Sequence, residues 1–374
     1  MQQIKQVKRK ILLNPGPATT TDTVKLAQVI PDICPREKEF TEIMREVSSG
    51  LLQIAHTNPQ DYAAVLFAGS GTLMMDVALN SLLPAEKKVL VINNGAYSSR
   101  AVEICHAYGL PHIDLRLPFD APVDILEVKE ALLAHTDVAV VYMTHHETGT
   151  GILNPLREIG ALAHAHGAIL ISDTTSSYAM LPLDMEKDNV DICMSSAQKG
   201  IQAMAGLSFI LGKKSVIEAS KNYPVRSYYA NLYLQYEGFQ KTGEMRFTPP
   251  VQAVYAARQG IREYFAEGET AKQARHQRAA EAIHKGLAHL GLQEAIQREY
   301  QSGLVVAVCY PDDPHWNFTR VHDICYQHGF TIYPGKMQTT GTFRLCTLGA
   351  IDERDIEAFF IVFEGALREI GMIQ

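Results

Sequence analysis

The chain shows two textures of apolar and polar positions. Short, nearly continuous apolar runs bounded by glycine or polar residues recur through the first part: "AAVLFA" (63–68), "KVLVIN" (88–93), "DVAVVYMT" (137–144), "AILISD" (168–173), "DICMSS" (191–196) and "LSFILG" (207–212). Runs of this kind predict strands buried on both faces. Between them lie helical patterns at 72–83, 97–109 and 155–167. Strands alternating with helices predict a largely parallel sheet covered by helices. "LSFILG" follows its predecessor too closely for a crossover helix, so it is expected to run antiparallel.

From about residue 250 the texture changes. "PPVQAVYAARQGIREYFAEG" and "TAKQARHQRAAEAIHKGLAHLG" predict long amphipathic helices. Strands are expected at "GLVVAVCY", "FTIYP" and "TFRLCT", with helices at "WNFTRVHDICYQHG" and "ERDIEAFFIVFEGALREIG". This is an α+β unit. With 374 residues, more than one hydrophobic core is expected. The organisation read from the sequence is an N-terminal arm (1–20), a large domain (21–255) and a small C-terminal domain (256–374).

Composition narrows the function classes. Hydrophobic residues make up 47% and charged residues 20%, as in ordinary globular chains. A net charge of −7 argues against a nucleic-acid or membrane-surface binder. The one basic cluster, "KQVKRK" (5–10), reads as a solvated arm. No apolar run reaches the roughly 18–20 residues that span a bilayer, and the polar N-terminus has no signal-peptide core. The six cysteines show no metal-ligand spacing, and are expected to be free, buried thiols in the cytoplasm.

Three features carry chemistry. "AGSGT" (68–72) places glycines between a strand and a helix. Such a turn can cradle a phosphate at the helix N-terminus, although many strand-to-helix turns carry glycine without one. Asp173 ends a strand at the ligand-binding edge of a parallel sheet, where it either meets a ligand or caps the next segment. Lys199, in "SSAQKGIQ", follows another strand among small and apolar residues. A lysine drawn from water becomes a usable nucleophile toward carbonyls. A phosphate cradle, an acid and an amine at strand ends are together what pyridoxal 5'-phosphate requires. His145 and His146 invite a metal reading, but neighbours in extended chain point oppositely, and no metal is assigned.

At this level "LLNPGPATT", "AGSGT", "NNGAYSSRA", "THHETGTGILNPLREIGALAHAHG", "DTTSSY", "SSAQKGIQAMAGLSFI", "MRFTPP" and "YPGKMQTTGTFRLCTLG" resemble the class V aminotransferases. The likeness is greatest to 2-aminoethylphosphonate–pyruvate aminotransferases, with alanine–glyoxylate and serine–pyruvate aminotransferases as the alternative. The resemblance implies the aspartate-aminotransferase fold, pyridoxal-phosphate fold type I. That fold has a mainly parallel seven-stranded sheet and a smaller C-terminal α+β domain.

The resemblance also implies roles. Lys199 would link to the cofactor aldehyde and shuttle the proton. Asp173 would pair with the pyridine nitrogen, and Tyr97 would stack on the ring. Ser70, Gly71, Thr72 and Gln198 would hold the phosphate, and Thr148 would touch the phenolic oxygen. Thr248 would reach the phosphate of a neighbouring subunit in a homodimer with shared sites. Met245 stands where many relatives carry a tyrosine, so one phosphate contact is missing or replaced. Arg344 would bind the substrate anion. Arg246 would add charge from the partner chain or serve as an interface residue, and Glu147 is a candidate structural anchor.

Overall fold

The computed structural model describes residues 9–335, 337 and 341–374. Its centre is a seven-stranded sheet in the order Tyr62–Gly69, Gly206–Lys213, Ile192–Ser196, Ile169–Asp173, Val138–Thr144, Lys88–Asn93, His112–Arg116. Gly206–Lys213 runs antiparallel to both neighbours, as its short connection requires, and the other pairings are parallel.

Successive residues of a strand point to opposite faces, and here both faces are apolar. Leu90, Ile92, Val141 and Met143 join one core; Val89, Val91, Val140 and Tyr142 join the other. Helices Lys38–Ile54, Ile125–Ala134, Leu156–His166 and Val251–Glu267 cover the first face. Gly71–Leu82, Ala96–Tyr108 and Leu232–Thr242 cover the second. This explains why the strands read as unbroken apolar runs. Neither the long helix Lys38–Ile54 nor the edge strand His112–Arg116 was expected from the pattern.

A third core lies around a three-stranded antiparallel sheet of Val305–Cys309, Thr342–Cys346 and Tyr333–Pro334. Helices Glu269–His289, Phe318–Gln327 and Glu353–Glu369 pack on it. Ile11 and Leu13 belong to this core, and Ile11–Leu12 pairs in parallel with Phe330–Thr331. The chain passes from the large-sheet cores to this one at Gly268, between two long helices.

Two expectations need correction. Of the basic cluster, residues 5–8 lie outside the described residues; Arg9 is exposed, as expected, but it is anchored rather than loose. Its Nη2 donates to Asp355 Oδ2 at 2.9 Å and to the Ala350 carbonyl at 2.7 Å. Both partners lie at the start of the last helix, where a bidentate guanidinium finds ready acceptors. Among the cysteines, Cys34 is exposed rather than buried, while Cys193 is core. Among the described residues no helix is long and apolar enough to cross a membrane.

Candidate active site

The parallel strands end in register. Thr144 lies opposite Asp173, and Asp173 opposite Met194, so the turns after these strands open on one edge. The glycine-rich turn after Tyr62–Gly69 arrives at the same edge. Gly69 has φ +156, and a Cβ there would lie 2.4 Å from Leu73, so only glycine suits the turn. Ser70 is the N-cap of Gly71–Leu82, but its side chain makes no capping bond. The first N–H groups of that helix therefore face the edge without a side-chain acceptor from Ser70.

A cavity of about 170 Å³ opens there. Eight of the residues singled out in the sequence line it: Ser70, Gly71, Thr72, Tyr97, Thr148, Asp173, Gln198 and Lys199. Lys199 sits in the turn after Ile192–Ser196, and its Nζ donates to the Pro15 carbonyl. Gly16 makes room for it, since a Cβ there would lie 2.6 Å from Lys199 Cε. The N-terminal "NPGP" stretch thus forms one wall beside the lysine.

Asp173 is buried, and Oδ1 accepts from the Thr175 N–H at 2.9 Å. Burial raises its pKa; the bonds from Thr175 and the charges of Lys199 and Arg100 oppose the rise. Tyr97 is fixed through its backbone, which donates to Glu147 Oε2 at 3.2 Å. Glu147 is fully buried, which pushes its carboxyl up to about 7 despite bonds from the Gly149 and Tyr97 N–H groups. Burial also raises the Tyr97 phenol, and Arg344 opposes that.

Thr148 Oγ1 donates to Ser176 Oγ at 2.8 Å, and Ser176 Oγ lies 2.8 Å from His146 Nδ1. The other ring nitrogen of His146 meets Ser302 Oγ at 2.8 Å. His145 turns to Ser177 Oγ at 3.0 Å. Burial pushes His146 down to about 3 and His145 to about 4, so both rings are neutral near pH 7.

Two expected residues do not line the cavity. Arg344, on Thr342–Cys346, is buried beside Tyr97 of the cavity wall, donating to the Thr148 carbonyl at 3.1 Å and the Pro334 carbonyl at 3.1 Å. Thr248 is exposed and away from the cavity of its own chain. Arg246 stays near Thr248, its guanidinium 5.0 Å from the Phe247 ring centroid and Nη1 3.3 Å from the Tyr228 carbonyl. Met245 is buried in the first core. Sequence reasoning missed Arg100, Thr175 and Ser176, which all line the cavity. Arg100 had a signal: it falls one helical turn after Tyr97.

Doubly wound sheet, strand-end lysine and carboxylate, and an open helix N-terminus define an enzyme of the pyridoxal-phosphate fold type I class. The aminotransferase class-V family model matches residues 24–349, and the chain belongs to that family. It is a pyridoxal-phosphate-dependent aminotransferase. It is 34% identical over 363 residues to 2-aminoethylphosphonate–pyruvate transaminase 2 of Paraburkholderia xenovorans, covering 97% of each chain. It is also 34% identical over 356 residues to the 2-aminoethylphosphonate–pyruvate transaminase of Lysinibacillus sphaericus, covering 94% of this chain and 96% of that one. The fold matches an alanine–glyoxylate aminotransferase from Nostoc sp. with TM-score 0.89, 24% identity and 98% of each chain covered. It matches a pyridoxamine–pyruvate aminotransferase from Mesorhizobium loti with TM-score 0.88 and 23% identity, over 99% of this chain and 95% of that one.

The cavity fits the cofactor. Thr144 Oγ1, Ser196 Oγ and Gln198 Oε1 line it, buried and without a hydrogen-bond partner among the described residues. Buried polar atoms of this kind call for a polar ligand. The open helix N-terminus suits a phosphate, and Asp173 and Lys199 offer the acid and the amine that the ring and aldehyde need.

Proposed function

We propose that the enzyme transfers the amino group of 2-aminoethylphosphonate to pyruvate, giving phosphonoacetaldehyde and L-alanine. The near full-length likeness to transaminases of that name carries the reading. When bound, pyridoxal phosphate accepts the amino group from the donor and passes it to the acceptor, its ring serving as an electron sink.

In this reading Ser70, Gly71, Thr72 and Gln198 hold the phosphate, and Asp173 keeps the pyridine nitrogen protonated. Tyr97 covers the ring face and Thr148 meets the phenolic oxygen. Lys199 Nζ would hold the cofactor through its aldehyde, with loss of water, and would carry the proton that leaves the substrate carbon. Arg344 binds the substrate anion; its fork suits a planar carboxylate or two oxygens of a phosphonate. Its contacts to the Thr148 and Pro334 carbonyls hold that fork in one orientation. The active unit is a homodimer in the cytoplasm, with Thr248 serving the partner's phosphate. The exposure of Thr248 beside exposed Tyr228 favours this.

A donor screen with pyruvate as acceptor tests the substrate. Alanine formation is expected to be fastest from 2-aminoethylphosphonate. Faster turnover with serine, or with alanine and glyoxylate, overturns the phosphonate reading. Arg344→Ala is expected to slow both half-reactions by roughly 30- to 5,000-fold, since both substrates present an anion to it.

A further inference from the structure

The cradle at Ser70–Thr72 raises a question of charge. A helix N-terminus offers the equivalent of about half a positive charge. A phosphate monoester carries about −1.5 to −2 near pH 7. The cradle therefore leaves about 1 to 1.5 negative charges unanswered, and the hydroxyls of Ser70 and Thr72 add no positive charge. Gln198 and a neighbouring Thr248 are neutral too, and another neutral donor that the family resemblance expects is replaced by Met245, which is buried in the apolar core.

Arg100 is placed to answer it. It follows Tyr97 by one turn on Ala96–Tyr108, so both side chains leave the same face of the helix. It lines the cavity, and its Nη1 donates to Thr72 Oγ1 at 3.3 Å. Its guanidinium carbon lies 5.0 Å from the centroid of the Tyr97 ring. Both of these contacts are with neutral groups. Among the described residues, no ion pair within 4.0 Å joins Arg100 to a carboxylate. The other arginines near the site have other contacts: Arg344 meets the Thr148 and Pro334 carbonyls and is proposed for the substrate anion, and Arg246 meets Tyr228 and Phe247. Arg100 is thus a cation at the cradle end of the cavity with hydrogen-bonding capacity left over, since a guanidinium carries five donors.

We propose that Arg100 is a ligand of the cofactor's phosphate, closing the cradle opposite the helix N-terminus. The inference rests on the phosphate-cradle reading of Ser70–Thr72 and is independent of which amino donor the enzyme prefers. A guanidinium supplies parallel charge-assisted bonds to phosphate oxygens, and its flat face rests against Tyr97.

The test compares two ligands that differ only in the phosphate. Apoenzyme is titrated with pyridoxal phosphate and with pyridoxal, following near-visible absorbance, without any amino donor. In Arg100→Gln, affinity for pyridoxal phosphate is expected to fall about 10- to 100-fold, while affinity for pyridoxal stays within about twofold. Arg100→Lys is expected to recover part of the loss, because an ammonium keeps the charge but not the fork. If Arg100→Gln fails to fold, Arg100→Lys carries the same comparison, with a selective loss for the phosphorylated ligand expected. Equal loss for both ligands overturns the proposal and makes Arg100 a support for Tyr97. Unchanged affinity for both overturns it as well, including when the KM for 2-aminoethylphosphonate rises, since that result assigns Arg100 to the substrate.

Discussion

The cavity at the strand ends measures about 170 Å³, and a second cavity measures about 360 Å³. The larger one lies between residues 180–182, one face of Glu269–His289 and the loop 298–304. Both have polar walls, but they differ in how their charges are answered. Around the larger cavity, Glu294 accepts from His284 Nδ1 at 2.8 Å, Arg298 Nε at 3.2 Å and Gln301 Nε2 at 2.8 Å. That cluster is self-contained. His276 also lines the cavity, but burial drives it well below its ordinary pKa despite a bond to the Thr347 backbone, so it is an uncharged wall.

At the strand ends, by contrast, Arg100 is in contact with the neutral groups of Thr72 and Tyr97, and three hydroxyl or amide oxygens have no hydrogen-bond partner among the described residues. Three strand ends and a helix N-terminus converge there. Volume favours the larger cavity, and unanswered chemistry favours the smaller. One imidazole joins them: His146 lines the smaller cavity and bonds Ser302, which lines the larger.

Breaking the smaller cavity is expected to have the largest effect. Asp173→Asn keeps the shape and removes the carboxylate proposed to pair with the cofactor's pyridine nitrogen. Turnover should fall by about 10²- to 10³-fold with cofactor still bound, as for other losses of a preorganised electrostatic partner. Single-turnover absorbance changes would measure it. Near-normal rates would make Asp173 a cap for the segment that begins at Thr174.

The bridge between the cavities predicts a pH effect on stability. His146 titrates near 3 in the folded chain and His145 near 4, against about 6.5 for an exposed histidine. Below pH 6.5 the unfolded chain takes up protons that the folded chain refuses. The stabilisation is therefore present above pH 6.5 and is lost as pH falls toward 3 to 4. Glu147, raised to about 7 from 4.5, acts oppositely, since the folded chain holds its proton between those values. Two histidines against one glutamate leave a net loss of stability on acidification from pH 6.5 to 4.5. His146→Asn is expected to reduce that slope by one proton, about 1.4 kcal/mol per pH unit. Urea unfolding of the apoenzyme at several pH values reads it. An unchanged slope would mean that His146 is protonated in the fold.

The smallest effect is expected at the larger cavity. Gln277→Trp, at its exposed rim, should leave kcat/KM within about twofold, as surface changes generally do. A loss of tenfold or more would show that this cavity takes part in turnover.

Much of this was legible in the sequence because burial on both faces writes strands as unbroken apolar runs. Lys88–Asn93 was read to the residue. The reversed strand was legible from chain length alone. His112–Arg116 was not, because an edge strand is covered less and "HIDLR" mixes polar with apolar positions. Helix Lys38–Ile54 also escaped, since Ser48 and Gly50 interrupt its apolar face. The structure shows why glycine is there: a Cβ at Gly50 would lie 2.5 Å from Ile261 in the helix Val251–Glu267.

For the site, residues at strand ends were readable because the sheet itself brings them together. Pro15 and Gly16 were not, since their place beside Lys199 depends on how the N-terminal segment folds back. Arg344 was legible only through family resemblance. It comes from the other sheet, and nothing local in "TFRLCT" says that it lies behind Thr148.

The central claim is that Lys199 bonds the cofactor aldehyde. Lys272 makes a sharp control. It is another buried lysine, pushed down to about 7 by burial, and its Nζ donates to the Gly200 carbonyl at 2.7 Å. Lys272 lines neither of the two cavities compared above. Borohydride reduction of the holoenzyme, followed by proteolysis and mass mapping, locates the attached cofactor. The account predicts modification at Lys199 alone, and none in Lys199→Ala. Cofactor found on Lys272, or on any lysine other than Lys199, would contradict it.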